Sequence, residues 1–172
     1  DLIDLFEEGA LAIDYNGHGA GSVWSDNSLF RLENLPQLSN HGLYPFVTNF
    51  TCFIGAFDNP AHASILGEEF IFAEDKGAIA VLASSGLGWF YNGAWLQESL
   101  ANLFYDNPDL RLGEIVQAAK IDYYSYYGIG GSVESFDTVH LMNLLGDPSL
   151  KMAFPTRIGT IPDVNPEFSR SE

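Results

Sequence analysis

Basic residues are scarce in this chain: 7 lysines and arginines stand against 23 aspartates and glutamates, a formal net charge of −16. A surface so acidic repels phosphate backbones, so nucleic acid is not an expected partner. The charge suits a solvated surface on a secreted or salt-exposed protein. Cysteine is almost absent as well. Cys52 stands alone, so no internal disulfide can form, and a lone thiol accompanied by histidines is a candidate nucleophile. The longest apolar stretch, "GAIAVLASSGLGWF", is broken by Ser84 and Ser85 and falls short of the roughly 18 to 20 residues of a membrane span. The opening "DLIDLFEE" is acidic and does not read as a signal peptide, which suggests a chain cut from a longer precursor. No internal repeat, G-x-S-x-G elbow, Walker loop, dinucleotide fingerprint or zinc spacing occurs.

The chain does contain enough apolar matter for a core. Hydrophobic residues make up 47% and aromatic ones 14%, against 17% charged, a balance that excludes disorder and fits one domain. Residues 10–15, 45–53 and 77–84 are apolar without polar alternation and read as buried strands. Residues 28–35 read as one or two helical turns closed by Pro36, and 62–74 as a helix. Further helical patterns cover about 92–106, 112–126 and 135–145, before a turn and a brief extended piece at "GDPSLKM". Apolar strands separated by helices predict an α/β fold, its mostly parallel sheet covered on both faces. Residues 1–154 form the domain. The polar segment 155–172, with three of the eight prolines, reads as an exit linker.

Ligands of open parallel sheets gather beyond the carboxyl ends of the strands. In "IDYNGHGAGSVW", His18 follows the first strand, and Cys52 closes the second. Alone, a cysteine on an apolar strand is commonly a small core hydrophobe, and a histidine between glycines is commonly a turn residue. At two strand ends of one sheet they suit a nucleophile and its proton carrier, with the backbone N–H groups of Gly19 and Cys52 as the natural oxyanion donors. His62 competes for the base role on sequence distance but reads as a surface residue at a helix start. His41 and His140 form no metal spacing.

Four blocks, "YNGHGAGSVW", "TCFIGAFDNPAHASILGEEFIFAEDKGAIAVLASSGLGW", "LGEIVQAAK" and "LLGDPSLKM", resemble in order and spacing the gingipain family of caspase-like cysteine peptidases, over roughly residues 10 to 153. The resemblance implies a caspase-like three-layer fold, of which this would be the C-terminal part. It implies Cys52 as nucleophile, His18 as general acid and base, and Gly19 with Cys52 as the oxyanion hole. Ser84, Ser85 and Trp89 of "SSGLGW" would lie beside the substrate. It also implies a secreted or cell-surface bacterial protein from a longer precursor, acting on peptides or proteins, with no cofactor beyond an optional structural calcium. Strands expected before the G-H-G strand are not in this sequence, so an N-terminal half is expected as a companion chain or upstream segment. A sortase-like transpeptidase and a non-catalytic caspase-like binding domain are the alternative readings. The stretch after Cys52 fits the broad family better than its arginine- or lysine-specific members.

Overall fold

The computed structural model describes residues 2–25, 27–61 and 64–155. Its main sheet has four strands, β1 (Ala12–Asn16), β5 (Phe46–Phe50), β6 (Ala80–Ser84) and β7 (Met142–Gly146), in the order β1-β5-β6-β7. β1, β5 and β6 run parallel, and β7 is antiparallel to β6. The two central strands, "FVTNF" and "AVLAS", are buried at every position, which is why their sequences show no polar alternation.

Side chains alternate between the two sheet faces, and each face has its own core. On one, Val47, Val81 and Ala83 meet α1 (Leu2–Glu8), α2 (Leu66–Phe72) and a stack of aromatic rings. Phe70 lies 5.5 Å from both Phe6 and Phe30 and 5.8 Å from Trp24, centroid to centroid. On the other, Phe46, Phe50, Ala80 and Leu82 pack with residues of α3 (Phe90–Asp106) and α4 (Leu112–Tyr123). The result is three layers, as the run of strands and helices predicts.

Four assignments differ from the sequence reading. Residues 19–31 build a small antiparallel sheet of β2 (Gly19–Ala20), β3 (Val23–Trp24) and β4 (Phe30–Arg31). The turn expected at 28–35 becomes β4 followed by a 3₁₀ segment, Leu32–Gln37, that includes Pro36 instead of stopping before it. The last helix, α5 (Val133–Leu141), ends earlier than expected, and 142–146 is the strand β7. A short apolar run such as "MNLLG" fits either state by pattern, and pairing with β6 decides it. α4 also gives way to a π-helical turn, Tyr124–Gly128, where a continuous helix is expected. Of the segment read as a linker, all but Pro155 lies outside the described residues, and so does His62.

Lys120 of α4 ties the layers together. Its Nζ donates to the carbonyl of Met142, the residue that closes α5 and opens β7. A cation at a helix C-terminus is favourable, but desolvation by burial lowers the Lys120 pKa from the ordinary lysine value. The unfolded chain therefore holds that proton more tightly, and stability rises with pH between the lowered folded value and the unfolded one. The thermal midpoint of the wild type should accordingly gain on that of a Lys120→Met variant as pH is raised toward the ordinary lysine value of about 10.4. A difference between them that does not change with pH would contradict this.

Candidate active site

The parallel register carries the two sequence candidates to the same end of the sheet. Ala12 pairs with Phe46 and Asn16 with Phe50, a sequence offset of 34, as between Asp14 and Thr48. His18 and Cys52 stand at that same offset, each two residues beyond the last pair. The Gly17 N–H donates to Phe50 O at 3.3 Å and extends the ladder past Asn16. Adjacent strands lie about 4.8 Å apart, so the two main chains leave the sheet as neighbours.

Gly19 shows how close that approach is. A Cβ on it would stand 2.2 Å from Thr51 Oγ1 and 3.2 Å from Thr51 Cγ2, so only glycine lets the β2 strand rest on Thr51. The loop is fixed from beneath: the Tyr15 hydroxyl donates to His18 O at 2.8 Å, and the Tyr15 ring stacks on Trp24 at 5.0 Å. The Ser25 N–H also donates to His18 O, at 2.7 Å. Since the register then makes Gly19 and Trp24 a non-hydrogen-bonded pair, the Gly19 N–H is left out of the β2–β3 ladder. His18 itself is exposed, on the wall of an open concavity lined by Gly19, Ser22, Ser25, Arg31 and Glu33.

Cys52 is half-buried with a free thiol. The chain bends sharply after it: Phe53 has φ of 61°, the left-handed region that side chains other than glycine rarely occupy. The bend is held to the loop after β6, since the Phe53 N–H donates to Gly86 O at 2.9 Å and the Gly55 N–H to Ser84 O at 2.8 Å. Local strain of this kind persists where the surroundings impose it, and it often marks a working site. Among the described residues no hydrogen bond engages the Cys52 N–H. The Gly88 N–H points at Cys52 Sγ, 3.3 Å away.

The "SSGLGW" residues divide into different environments. Ser84 is buried, and its hydroxyl donates to Gly86 O at 3.2 Å. The half-buried Ser85 hydroxyl donates to Leu141 O at 3.3 Å and accepts from Asn143 Nδ2 at 3.2 Å. Trp89 precedes α3 and lines a small recess with Thr51, Leu87, Gly88 and Met142. Trp89 and Leu87 are the exposed side chains of the segment, both on this recess. The sequence reading did not single out Thr51, Gly88 or Asn143. The second glycine of "GLG" was the only available signal. The remaining described histidines lie elsewhere: His41 sits 3.1 Å from Asp75, and His140 Nδ1 contacts Phe136 O at 2.8 Å within α5. Among the described residues no group of three or more His, Cys, Asp or Glu side chains could hold a metal ion.

This three-layer α/β domain, with its mostly parallel sheet, has a caspase-like fold. Within that class, the chain belongs to peptidase family C25, whose family model matches residues 1–153. Over 87 residues it is 30% identical to gingipain R2 of Porphyromonas gingivalis, a match covering 49% of this chain and 12% of that protein. Gingipain R1 of the same species is also 30% identical over 87 residues, 9% of its length. The chain thus spans a small part of the curated relatives it matches. The fold is similar to the crystal structure of the Arg-specific cysteine proteinase gingipain R, with a TM-score of 0.77 and 21% identity, over 88% of this chain and 35% of that one. A complex of the pro- and mature domains of Porphyromonas gingivalis RgpB gives a TM-score of 0.78 at 21% identity, over 88% and 36%.

Proposed function

We propose that this domain carries the catalytic pair of a cysteine endopeptidase. The observation that carries the reading is the common register offset of His18 and Cys52, reinforced by the contact of Gly19 with Thr51. In the reaction, Cys52 Sγ attacks the scissile carbonyl carbon as a thiolate and pushes the carbonyl electrons onto oxygen. The N–H groups of Gly19 and Cys52 receive the oxyanion. Collapse re-forms the carbonyl and breaks the C–N bond, and the His18 imidazolium delivers its proton to the leaving amine. Water, deprotonated by His18, then attacks the thioester. The carboxylic acid leaves, and the thiol is regenerated.

The Trp89 side of the recess forms one wall of the substrate cleft. The rest comes from an N-terminal half that adds strands beside β1, the edge strand of the sheet. A bare edge of this length invites wrong pairings, and the gingipain relatives extend well beyond the matched region. No helix among the described residues is long and apolar enough to cross a membrane. Acidity and kinship favour a secreted or cell-surface enzyme.

The test is labelling by a library of peptidyl chloromethyl ketones, in which the sulfur displaces chloride. The expected result is a mass gain on the peptide holding Cys52, with the best labels naming the preferred side chain before the scissile bond. Labelling elsewhere, or none across the library, would overturn the assignment. With a substrate peptide and an added amine, hydrolysis gives the free acid, and an amide product would mark a transpeptidase.

A further inference from the structure

The loop after β6 does more than line a cleft. Its Gly88 N–H lies 3.3 Å from Cys52 Sγ, and the sulfur lies 3.7 Å from Gly88 O. One residue therefore offers an acceptor to S–H and a donor to S⁻. When the proton leaves, the weaker contact is lost and the charge-assisted one strengthens. The approach requires glycine, because a Cβ at position 88 would sit 2.8 Å from both the carbonyl carbon and oxygen of Thr51.

The loop is held in that place from β7. Asn143 pairs with Ala83 in the sheet. Its Nδ2 donates to Leu141 O at 2.6 Å and to Ser85 Oγ at 3.2 Å. The Ser85 N–H and hydroxyl close on the same Leu141 carbonyl, at 2.9 and 3.3 Å. Three residues beyond Ser85 the chain reaches the sulfur, after Gly86 O has accepted the Phe53 N–H from the other side. Among the described residues the side-chain hydrogen bonds of Asn143 run to Ser85 and Leu141 and none to the sulfur, so its hydrogen-bonded route to the thiol is this loop.

We infer that the Gly88 N–H orients Cys52 Sγ and stabilises the negative charge the sulfur carries as it attacks, and that Asn143 is a positioning residue that sets this N–H through Ser85. The inference rests on the reading of Cys52 as nucleophile, but its test does not need a peptide substrate.

The measurement is the rate of Cys52 carboxamidomethylation by iodoacetamide at neutral pH, followed by mass spectrometry on the full chain alongside its thermal midpoint. Loss of one hydrogen bond to a charged sulfur should slow alkylation about tenfold in Gly88→Ala. Asn143→Leu, which adds no atom near the sulfur and so cannot shield it, should slow alkylation about threefold by loosening the loop, with Asn143→Gln recovering part of the rate. In peptide hydrolysis, Asn143→Leu should lower kcat and leave KM unchanged. A folded Gly88→Ala variant with the wild-type alkylation rate overturns the inference. If that variant fails to fold, wild-type alkylation in Asn143→Leu overturns it instead. Slowed alkylation in a protein that cleaves no peptide supports the thiol contact and rejects the peptidase reading, so the two fail separately.

Discussion

Replacing Cys52 with alanine should abolish peptide hydrolysis, a loss of about 10⁴-fold or more, while the protein stays folded. The scale follows from what is removed. Without Sγ no thioester can form, and the oxyanion donors and binding contacts that remain give only the residual acceleration typical of a site stripped of its nucleophile. The fold survives because Cys52 sits half-buried at the sheet's rim, outside both apolar cores. Losing one sulfur there should cost under about 1 kcal/mol. Initial rates on a saturating peptide, with circular dichroism and a thermal midpoint on the same preparation, check both halves. Wild-type turnover by Cys52→Ala would remove the proposed mechanism entirely.

Gly19→Ala should lower kcat/KM by about 10²-fold, the scale of a displaced oxyanion donor. The added methyl meets Thr51 Oγ1 at 2.2 Å, so the strand carrying His18 and the Gly19 N–H must move off Thr51. The collision names its own remedy. Thr51→Ala deletes both Oγ1 and Cγ2, leaving Val23 O at 3.2 Å as the remaining tight neighbour. That hydroxyl is buried and without a hydrogen-bond partner among the described residues, so its loss alone should cost little. The double variant should therefore recover much of the lost activity, and a cycle of the four proteins measures the coupling. Full activity in Gly19→Ala would show that the close approach is not needed and that Gly19 is not the donor.

Much of this candidate site is legible in the sequence because His18 and Cys52 each follow an apolar strand. "FVTNF" and "AVLAS" announce central strands by lacking polar alternation, and they are buried throughout. Pairing is not legible in the same way. Nothing local to "AIDYN" states that it lies beside residues 46–50 rather than beside β6. Gly88 escapes a sequence reading for a related reason: its contact with Cys52 joins main chain to sulfur across 36 positions and leaves only a glycine as its trace. The β7 stretch reads as helix because "HLMNLLG" has apolar residues but no turn signal before Gly146, and its antiparallel partner distinguishes the two states. Ser84 and Ser85 look alike in "SSG", yet Ser84 closes β6 with its hydroxyl on Gly86 O while Ser85, just past the strand, turns its hydroxyl to Leu141 O.

The shared offset in the parallel pairing also sets which length changes the molecule tolerates. An insertion in the exposed turn at residues 41–43 lengthens an outer connection and leaves the imidazole opposite the sulfur, because hydrogen bonds between strands hold that alignment, not the count of residues. One extra residue inside β1 has the opposite effect. It carries the histidine about 3.3 Å along the strand and turns it to the other face of the sheet. Grafting experiments should therefore treat β1 and β5 as one indivisible cassette and place every variable length outside it.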